Sequence, residues 1–221
     1  MGDAALVSAV IFDLDGLLLD TEPLYLAATQ QMLDRYGRTL DRALWMSYIG
    51  RPNPVVTQMI VEHYELAVSA MEFNVERELL LRAMLGEAEP MPGAVALVER
   101  LASSGVPLSI ATSSSREGYE LKARRHAGWL AHFHCVITRS EVKNGKPSPD
   151  LYLRASEGLG VAPALCLAFE DAPSGVEAAV AAKMRVIAVP TAGTDPAAFT
   201  NATAVLGSLT EFDPLAWGLP G

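Results

Sequence analysis

The sequence has few cysteines and little basic charge. Its 221 residues include two cysteines, Cys135 and Cys166, and each lies in an apolar run. We therefore expect both cysteines to be small buried thiols in a reducing compartment and not to form a disulfide. The 17 basic side chains are outnumbered by 26 acidic ones, which gives a net charge of -9. This excess of negative charge repels phosphate backbones and anionic lipid, so we expect neither nucleic acid nor a membrane as a partner.

Long hydrophobic runs are also missing. No uncharged apolar stretch approaches the roughly 18 residues that a membrane helix needs, and residues 1–10 lack a basic segment followed by a long apolar one. Hydrophobic residues nevertheless make up 50% of the chain, which is enough to bury a sizeable core. We expect a cytoplasmic monomer.

Short apolar runs alternate with helical patterns over much of the chain. The runs predict strands at 7–12, 108–111, 135–138, 165–169 and 186–189, and the patterns predict helices at 94–102, 117–127, 150–158 and 174–182. Several of the strands lack polar alternation, as expected when helices cover both faces of a sheet. The alternation predicts an α/β fold with a doubly wound parallel sheet, similar to a Rossmann fold.

One region departs from this alternation, because it contains helical patterns without a strand between them. The patterns cover 23–36, 42–48, 54–64 and 71–85, and two prolines and a glycine in 87–93 break the last helix. We predict a helical cap over residues 17–91, inserted through hinge linkers into an α/β core made of residues 1–16 and 92–221.

Polar residues follow the predicted strands where each strand ends. Asp13 and Asp15 follow the first strand, the run from Thr112 to Ser115 follows the second, and Glu170 with Asp171 follows the fourth. Lys146 lies in the loop after the third strand. Ligands of open α/β sheets bind beyond the carboxyl ends of the strands, so we expect these groups to meet in one crevice.

Crowded carboxylates need a compensating cation. Asp13, Asp171 and a backbone carbonyl are oxygen ligands of the kind that Mg²⁺ accepts. Lys146 would supply a second positive charge, while Thr112 and neighbouring amides would donate hydrogen bonds. Such a site suits phosphoryl transfer, in which positioning and charge stabilisation provide most of the catalysis.

Each feature also has a simpler explanation when it is considered alone. An Asp-x-Asp sequence often forms a turn or a helix cap, a serine run caps helices, and an isolated lysine usually lies on the surface. Glu170 and Asp171 could favour the start of the next helix through its dipole. Helix capping alone does not explain why polar groups end several strands of the same predicted sheet.

Four motifs resemble those of the haloacid dehalogenase superfamily, in the subclass with a helical cap after the first motif. They are Asp13-Leu14-Asp15-Gly16, Thr112-Ser113, Gly145-Lys146-Pro147 and the segment 169–176, FEDAPSGV. The resemblance covers nearly the whole chain and implies a phosphatase with a Rossmann-like core. The subclass that the chain resembles is the β-phosphoglucomutase-like one.

The resemblance assigns roles to individual residues. It implies that Asp13 attacks phosphorus to give an aspartyl-phosphate, and that Asp15 protonates the leaving alcohol and later activates water. Thr112 and Lys146 would hold the phosphoryl group. Thr21, at the cap hinge, would interact with Asp15.

The resemblance also implies a metal site and further substrate contacts. Mg²⁺ would be bound by Asp13, Asp171 and the Asp15 carbonyl, with Glu170 acting through metal-bound water. The remaining expected substrate contacts are Ser113, Ser114, Arg51 and Arg116.

Within the subclass, the chain is most similar to a group that contains pseudouridine-5'-phosphatase and glycerol-phosphate phosphatases. Pseudouridine 5'-phosphate, another nucleotide, or a glycerol or sugar phosphate is therefore the expected small phosphorylated metabolite. A phosphomutase or phosphotransferase is an alternative, although Tyr25 lies where the mutases typically have a histidine. A non-catalytic phosphometabolite-binding protein is another.

Overall fold

The computed structural model describes residues 6–48, 53–191 and 194–220. Within these ranges the main sheet has six parallel strands in the order β5-β4-β1-β6-β7-β8. The strands are β1 (Ala9–Phe12), β4 (Leu108–Ala111), β5 (Cys135–Ile137), β6 (Cys166–Glu170), β7 (Arg185–Ala188) and β8 (Ala204–Val205). The predicted fold class is confirmed, whereas the short edge strand β8 was missed.

Helices cover both faces of this sheet, which is why β1, β4 and β6 are fully buried. One face packs against α5 (Ala94–Ser103), α6 (Arg116–Ala123) and α7 (Ala127–Leu130), and the other packs against α8 (Asp150–Leu159) and α9 (Pro173–Ala181). Each face of the sheet forms a hydrophobic cluster with its helices. In the cluster on the face of α5, α6 and α7, the rings of Phe12 and Phe169 stack with 4.9 Å between their centroids. Side chains of alternate residues in each strand enter opposite clusters, as the two-residue period of a strand requires.

The segment predicted as one helix at 117–127 is divided in the structure. A 3₁₀ turn, Arg124–His126, separates α6 from α7. His126 is buried at this turn, and its Nε2 lies 2.7 Å from the backbone oxygen of Ala88. The turn therefore connects this face of the sheet to the chain that returns from the insertion.

The insertion consists of α1 (Glu22–Asp34), α2 (Arg42–Met46), α3 (Asn53–His63) and α4 (Ala70–Met84), followed by a 3₁₀ turn at Leu85–Glu87. Asp41 caps α2 by accepting hydrogen bonds from two backbone amides, and Ser69 forms a capping box with Glu72 at the start of α4. The helices bury a hydrophobic cluster of their own, made of Met32, Leu33, Trp45, Tyr48, Val56, Ile60 and Phe73.

Two short strands join the insertion to the sheet region. β2 (Leu19–Asp20) and β3 (Glu89–Pro90) pair antiparallel, with Leu19 opposite Pro90. The predicted boundaries between core and cap, at 16/17 and 91/92, lie beside this ribbon. None of the helices in the described ranges has both the length and the apolar composition needed to cross a lipid bilayer.

Candidate active site

Three carboxylates converge at the carboxyl ends of β1 and β6. Asp13 directly follows β1, and its backbone N–H donates to the Phe169 oxygen at 3.0 Å. Glu170 ends β6 and Asp171 follows it. One oxygen from each of the three side chains lies within 4.8 Å of the other two. Parallel pairing of β1 with β6 thus brings together groups that are more than 150 residues apart in the chain.

Lys146 is the cation that contacts this cluster. Its ammonium group binds the carboxylate of Asp13 and lies 2.5 Å from Glu170 Oε1. The Tyr152 hydroxyl donates to the same Glu170 oxygen at 2.6 Å. Although burial opposes the shift, Asp13 and Glu170 raise the pKa of Lys146, so the lysine stays protonated.

One ammonium does not neutralise three carboxylates. Burial raises the pKa of Asp13 to about 7, because the loss of solvation and the charges of Glu170 and Asp15 outweigh the opposing effect of Lys146. Burial, followed by the charges of Asp13 and Glu170, raises the pKa of Asp171 well above its ordinary value. A divalent cation relieves this repulsion, and the all-oxygen donor set fits Mg²⁺.

Two glycines make room for the cluster. Gly16 has a φ of +84°, and a Cβ at this position would overlap the Asp171 carboxylate. Gly175, on α9, lies so close to Glu170 that a Cβ would overlap its carboxyl group. Glycine therefore allows the backbone to approach both acidic side chains.

Asp15 has a separate set of partners. Ser114 Oγ donates to Asp15 Oδ2 at 2.7 Å, Thr112 Oγ1 donates to the same oxygen at 3.3 Å, and the Lys122 ammonium binds Oδ1. Lys122 also donates to Ser114 Oγ at 2.6 Å. Burial alone would raise the pKa of Asp15, but Lys122 and the two hydroxyls lower it.

Sequence reasoning missed Lys122, Tyr152 and Thr191. Lys122 lies on α6, and only 1% of its side chain is exposed. A basic residue on the buried face of a helix that follows a strand was the available signal. Thr191 Oγ1 donates to Asp171 Oδ2 at 3.0 Å, and no sequence pattern predicts this contact.

Three predicted residues lie away from these contacts or outside the described chain. Arg116 donates to Val136 O at 2.7 Å and pairs with Glu141, and its role as a substrate contact stays a prediction. Thr21 is not among the hydrogen-bond partners that the described residues give Asp15, which are Lys122, Ser114 and Thr112. Arg51 lies outside the described residues.

A cavity of about 630 Å³ lies between the insertion and the sheet region. Asp15, Ser113, Ser114 and Lys122 line it on the sheet side, whereas Glu22, Tyr25, Trp45, Asn53 and Glu78 line it on the side of the insertion. Asp13 is not among its lining residues, whereas Asp15 is, and Asp15 lies close enough for its charge to raise the pKa of Asp13. A molecule reacting at Asp13 would extend past Asp15 into this space.

A polar site at the carboxyl ends of a parallel sheet, below an inserted helical unit, defines a class of hydrolase. The model of the haloacid dehalogenase-like hydrolase family matches residues 7–183, and the chain belongs to that family. Its activity is that of a phosphatase acting on small phosphate esters.

Two curated proteins and one solved structure illustrate the similarity. The chain is 39% identical to a Drosophila melanogaster protein described as probable pseudouridine-5'-phosphatase, over 97% of this chain and 95% of that one. It is 41% identical to the mitochondrial (DL)-glycerol-3-phosphatase 1 of Arabidopsis thaliana, over 97% and 74% of the two chains. A family hydrolase from Deinococcus radiodurans R1, solved with bound phosphate and sodium, has a TM-score of 0.80 at 29% identity, covering 94% of this chain and 93% of that one.

Proposed function

We propose that this protein is a Mg²⁺-dependent phosphomonoester hydrolase that uses Asp13 as its nucleophile. The observation that carries the proposal is the cluster of Asp13, Glu170 and Asp171, in which the first two are buried and bind one lysine, Lys146. A set of carboxylates that raise one another's pKa values is costly without a bound cation. Groups with strongly shifted pKa values are concentrated at functional sites, which supports an active site here.

The metal would be held by Asp13, Asp171 and the backbone carbonyl of Asp15, with Glu170 acting through metal-bound water. Bound Mg²⁺ supplies positive charge that neutralises the phosphoryl group and keeps the carboxylates ionised. Lys146 already contacts Asp13, so its ammonium can stabilise both the nucleophile and the incoming phosphoryl oxygens.

The chain's own groups account for the proton transfers. A carboxylate oxygen of Asp13 forms a bond to phosphorus while the bond to the ester oxygen breaks. The negative charge of the bound phosphoryl group would raise the pKa of Asp15, so that Asp15 is protonated in the complex and gives this proton to the leaving alcohol. Asp15 then takes a proton from the water that hydrolyses the aspartyl-phosphate. Asp15 suits this role because it is two residues from Asp13 and lines the cavity where the leaving group would lie.

The phosphoryl group would be held by hydroxyl and ammonium donors. Thr112 and Ser114 are already close to Asp15, and Ser113 is exposed at the cavity wall. Together with Lys146, they provide donors on the sheet side for the three phosphoryl oxygens. Movement of the cap toward these groups would exclude bulk water during the reaction.

The substrates of the relatives suggest which esters to examine first. We propose pseudouridine 5'-phosphate, other nucleotides, and glycerol or sugar phosphates as candidates. Tyr25 lines the cavity and lies close enough to Asp15 for that charge to raise the pKa of its hydroxyl further than burial does alone. A tyrosine that keeps its proton cannot serve as the proton carrier that a hinge histidine provides, which favours hydrolysis over phosphomutase activity.

The test is release of phosphate from these esters, with and without MgCl₂, by the wild-type protein and by Asp13→Asn. We expect Mg²⁺-dependent turnover in the wild type and none in the variant, because an amide is not a nucleophile. Circular dichroism should show that the variant is folded. Turnover that persists in Asp13→Asn would contradict the mechanism, and transfer of phosphate to a sugar in preference to water would indicate a phosphotransferase.

A further inference from the structure

The insertion side of the cavity is acidic. Glu22 on α1 and Glu78 on α4 both line it, and each accepts from a neutral N–H donor. The buried guanidinium of Arg77 also lies 3.9 Å from Glu78 Oε1. The Trp45 indole donates to Glu22 Oε1, and Asn53 Nδ2 donates to Glu78 Oε1 at 2.8 Å. The hydrogen bonds of the described residues thus use one oxygen of each carboxylate, and the second oxygen can accept from a bound molecule.

Two contacts hold the Glu78 side of this wall in place. The buried guanidinium of Arg77 donates to Asn53 Oδ1 at 2.5 Å, so both ends of the Asn53 amide have partners. Asn53 is therefore fixed with its NH₂ group toward Glu78. The wall presents carboxylate oxygens to the cavity, and these are hydrogen-bond acceptors.

The cations that line the described part of the cavity already have acidic partners. Lys122 binds Asp15, and Arg82 pairs with Glu117, which is not a lining residue. A second negative group on a substrate would therefore approach Glu22 and Glu78 without meeting an unpaired cation among the described lining residues. Arg77 does not line the cavity, and its buried charge offsets only part of the Glu78 charge. Like charges brought together in such a site repel each other, and this repulsion weakens the binding of a substrate that carries a second negative group.

Given the proposed phosphatase function, we infer that the cavity selects phosphate esters whose leaving group is uncharged and carries O–H or N–H donors. Polyols and nucleosides belong to this class, and their hydroxyl or base N–H groups can donate to the two carboxylates. The faces of Trp45 and Tyr25 provide apolar surface for carbon atoms or a base. Substrates with a carboxylate or a second phosphate in the leaving group are rejected.

Two esters of the same length provide a matched test. In 3-phosphoglycerate a carboxylate replaces the terminal hydroxymethyl group of sn-glycerol 3-phosphate, and the phosphate end is unchanged. We expect kcat/KM to be at least about tenfold higher for glycerol phosphate, as one unit of charge repulsion across a cavity of this size implies. Raising the salt concentration should narrow this ratio, because screening weakens the repulsion.

The variants Glu22→Gln and Glu78→Gln, singly and together, test whether these carboxylates cause the selection. Each should raise turnover of 3-phosphoglycerate relative to glycerol phosphate, and the double variant should reduce the ratio most. Glu62→Gln is the matched control, because Glu62 is exposed on α3, accepts from Gln58 and does not line the cavity. That control should keep the wild-type ratio.

Equal use of the two esters by the wild type, or a ratio that does not change with salt, would overturn the inference without any variant. An unchanged ratio in a folded double variant would also overturn it. Failure of the underlying phosphatase function has a different signature, since p-nitrophenyl phosphate would then not be hydrolysed either. Turnover of p-nitrophenyl phosphate together with equal use of the two matched esters contradicts the selection alone.

Discussion

Lys122 is a buried lysine outside the four motifs, and it contacts Asp15 at the edge of the cavity. Lys122 binds one oxygen of Asp15 and the hydroxyl of Ser114, which in turn binds the other Asp15 oxygen. The three groups form a closed ring that leaves Asp15 little rotational freedom. Under the proposed mechanism, Lys122 would be a positioning residue that acts through Asp15.

Lys122→Met should slow the cleavage of alkyl phosphates more than that of p-nitrophenyl phosphate. An alkoxide needs a proton from Asp15 to leave, whereas p-nitrophenolate leaves without one. Because general acid catalysis contributes about 10²–10⁴-fold, we expect the loss on glycerol 3-phosphate to exceed the loss on p-nitrophenyl phosphate by about tenfold or more. The measurement is kcat/KM for both esters on the same preparation.

The comparison of two substrates separates positioning from folding. Removing one partner of a buried ion pair destabilises proteins by about 3–5 kcal/mol, so part of the variant could be unfolded. A smaller folded fraction lowers both rates equally and leaves their ratio unchanged. Equal losses on the two esters would therefore count against a role through Asp15.

Gly175→Ala should destabilise the fold and weaken the metal site. The new Cβ would overlap the Glu170 carboxyl group, which Lys146 and Tyr152 hold from the other side. Overpacking of this kind costs about 1–3 kcal/mol. Chemical denaturation with and without MgCl₂ would measure the loss.

Gly128→Ala is the control for this substitution, because Gly128 is also helical but its added Cβ meets no atom within 4 Å. Alanine should stabilise the chain there by about 0.5–1 kcal/mol, since it is the better helix former. If Gly175→Ala also stabilised the chain, overlap of the added Cβ with Glu170 would not explain why position 175 requires glycine.

At the scale of elements, the sequence predicted the strands of the sheet centre and the four helices of the insertion. Their signals are local: continuous apolar runs in β1 and β6, and helical periodicity in α1 to α4, with side-chain caps at the starts of α2 and α4. It also predicted that Asp13, Lys146 and Asp171 would meet, because parallel strands end at one edge. Local patterns were enough in these cases.

The remaining features depend on contacts between distant segments. β8 has two residues, too few for a periodic pattern, and it forms by pairing with β7. The break between α6 and α7 accompanies the contact of His126 with Ala88. Lys122 and Arg116 lie on the same helix, and the structure determines which of these cations reaches Asp15.

Phe73→Ala tests whether the insertion behaves as an independent unit. Phe73 is fully buried in the hydrophobic cluster of the insertion, and such truncations cost about 3–5 kcal/mol. We expect faster hydrogen exchange in residues 22–84 and unchanged protection in β1 and β6, measured by mass spectrometry. The converse variant Leu167→Ala, in β6, should weaken the sheet region.

A uniform rise in exchange across the whole chain in Phe73→Ala would show that the two regions unfold together. The proposed boundary at the β2–β3 ribbon would then have no energetic meaning.

At the scale of the whole molecule, Mg²⁺ should stabilise the protein, and Asp171 should be required for this effect. A ligand at 100 times its Kd adds about 2.7 kcal/mol. This corresponds to a rise in Tm of about 5–10 °C for a chain of this length. Thermal unfolding in EDTA and in excess MgCl₂ would measure it.

Wild type and Asp171→Asn should differ in Tm in opposite directions without and with Mg²⁺. Without metal the variant should unfold at a higher temperature than the wild type, because its neutral side chain removes repulsion from Asp13 and Glu170. With MgCl₂ the wild type should become the more stable protein, since the variant has lost a ligand. A variant that gains as much from Mg²⁺ as the wild type would exclude Asp171 as a ligand.

The paired ribbon of β2 and β3 has a consequence for how this architecture can be altered. The chain leaves the sheet region at Leu19 and returns at Pro90, and these residues face each other across the ribbon. The two ends of the insertion are therefore adjacent in space, so a helical segment of different length and sequence could be grafted between them without moving Asp13, Lys146 or Asp171. One set of phosphate-cleaving groups could in this way serve interchangeable recognition modules.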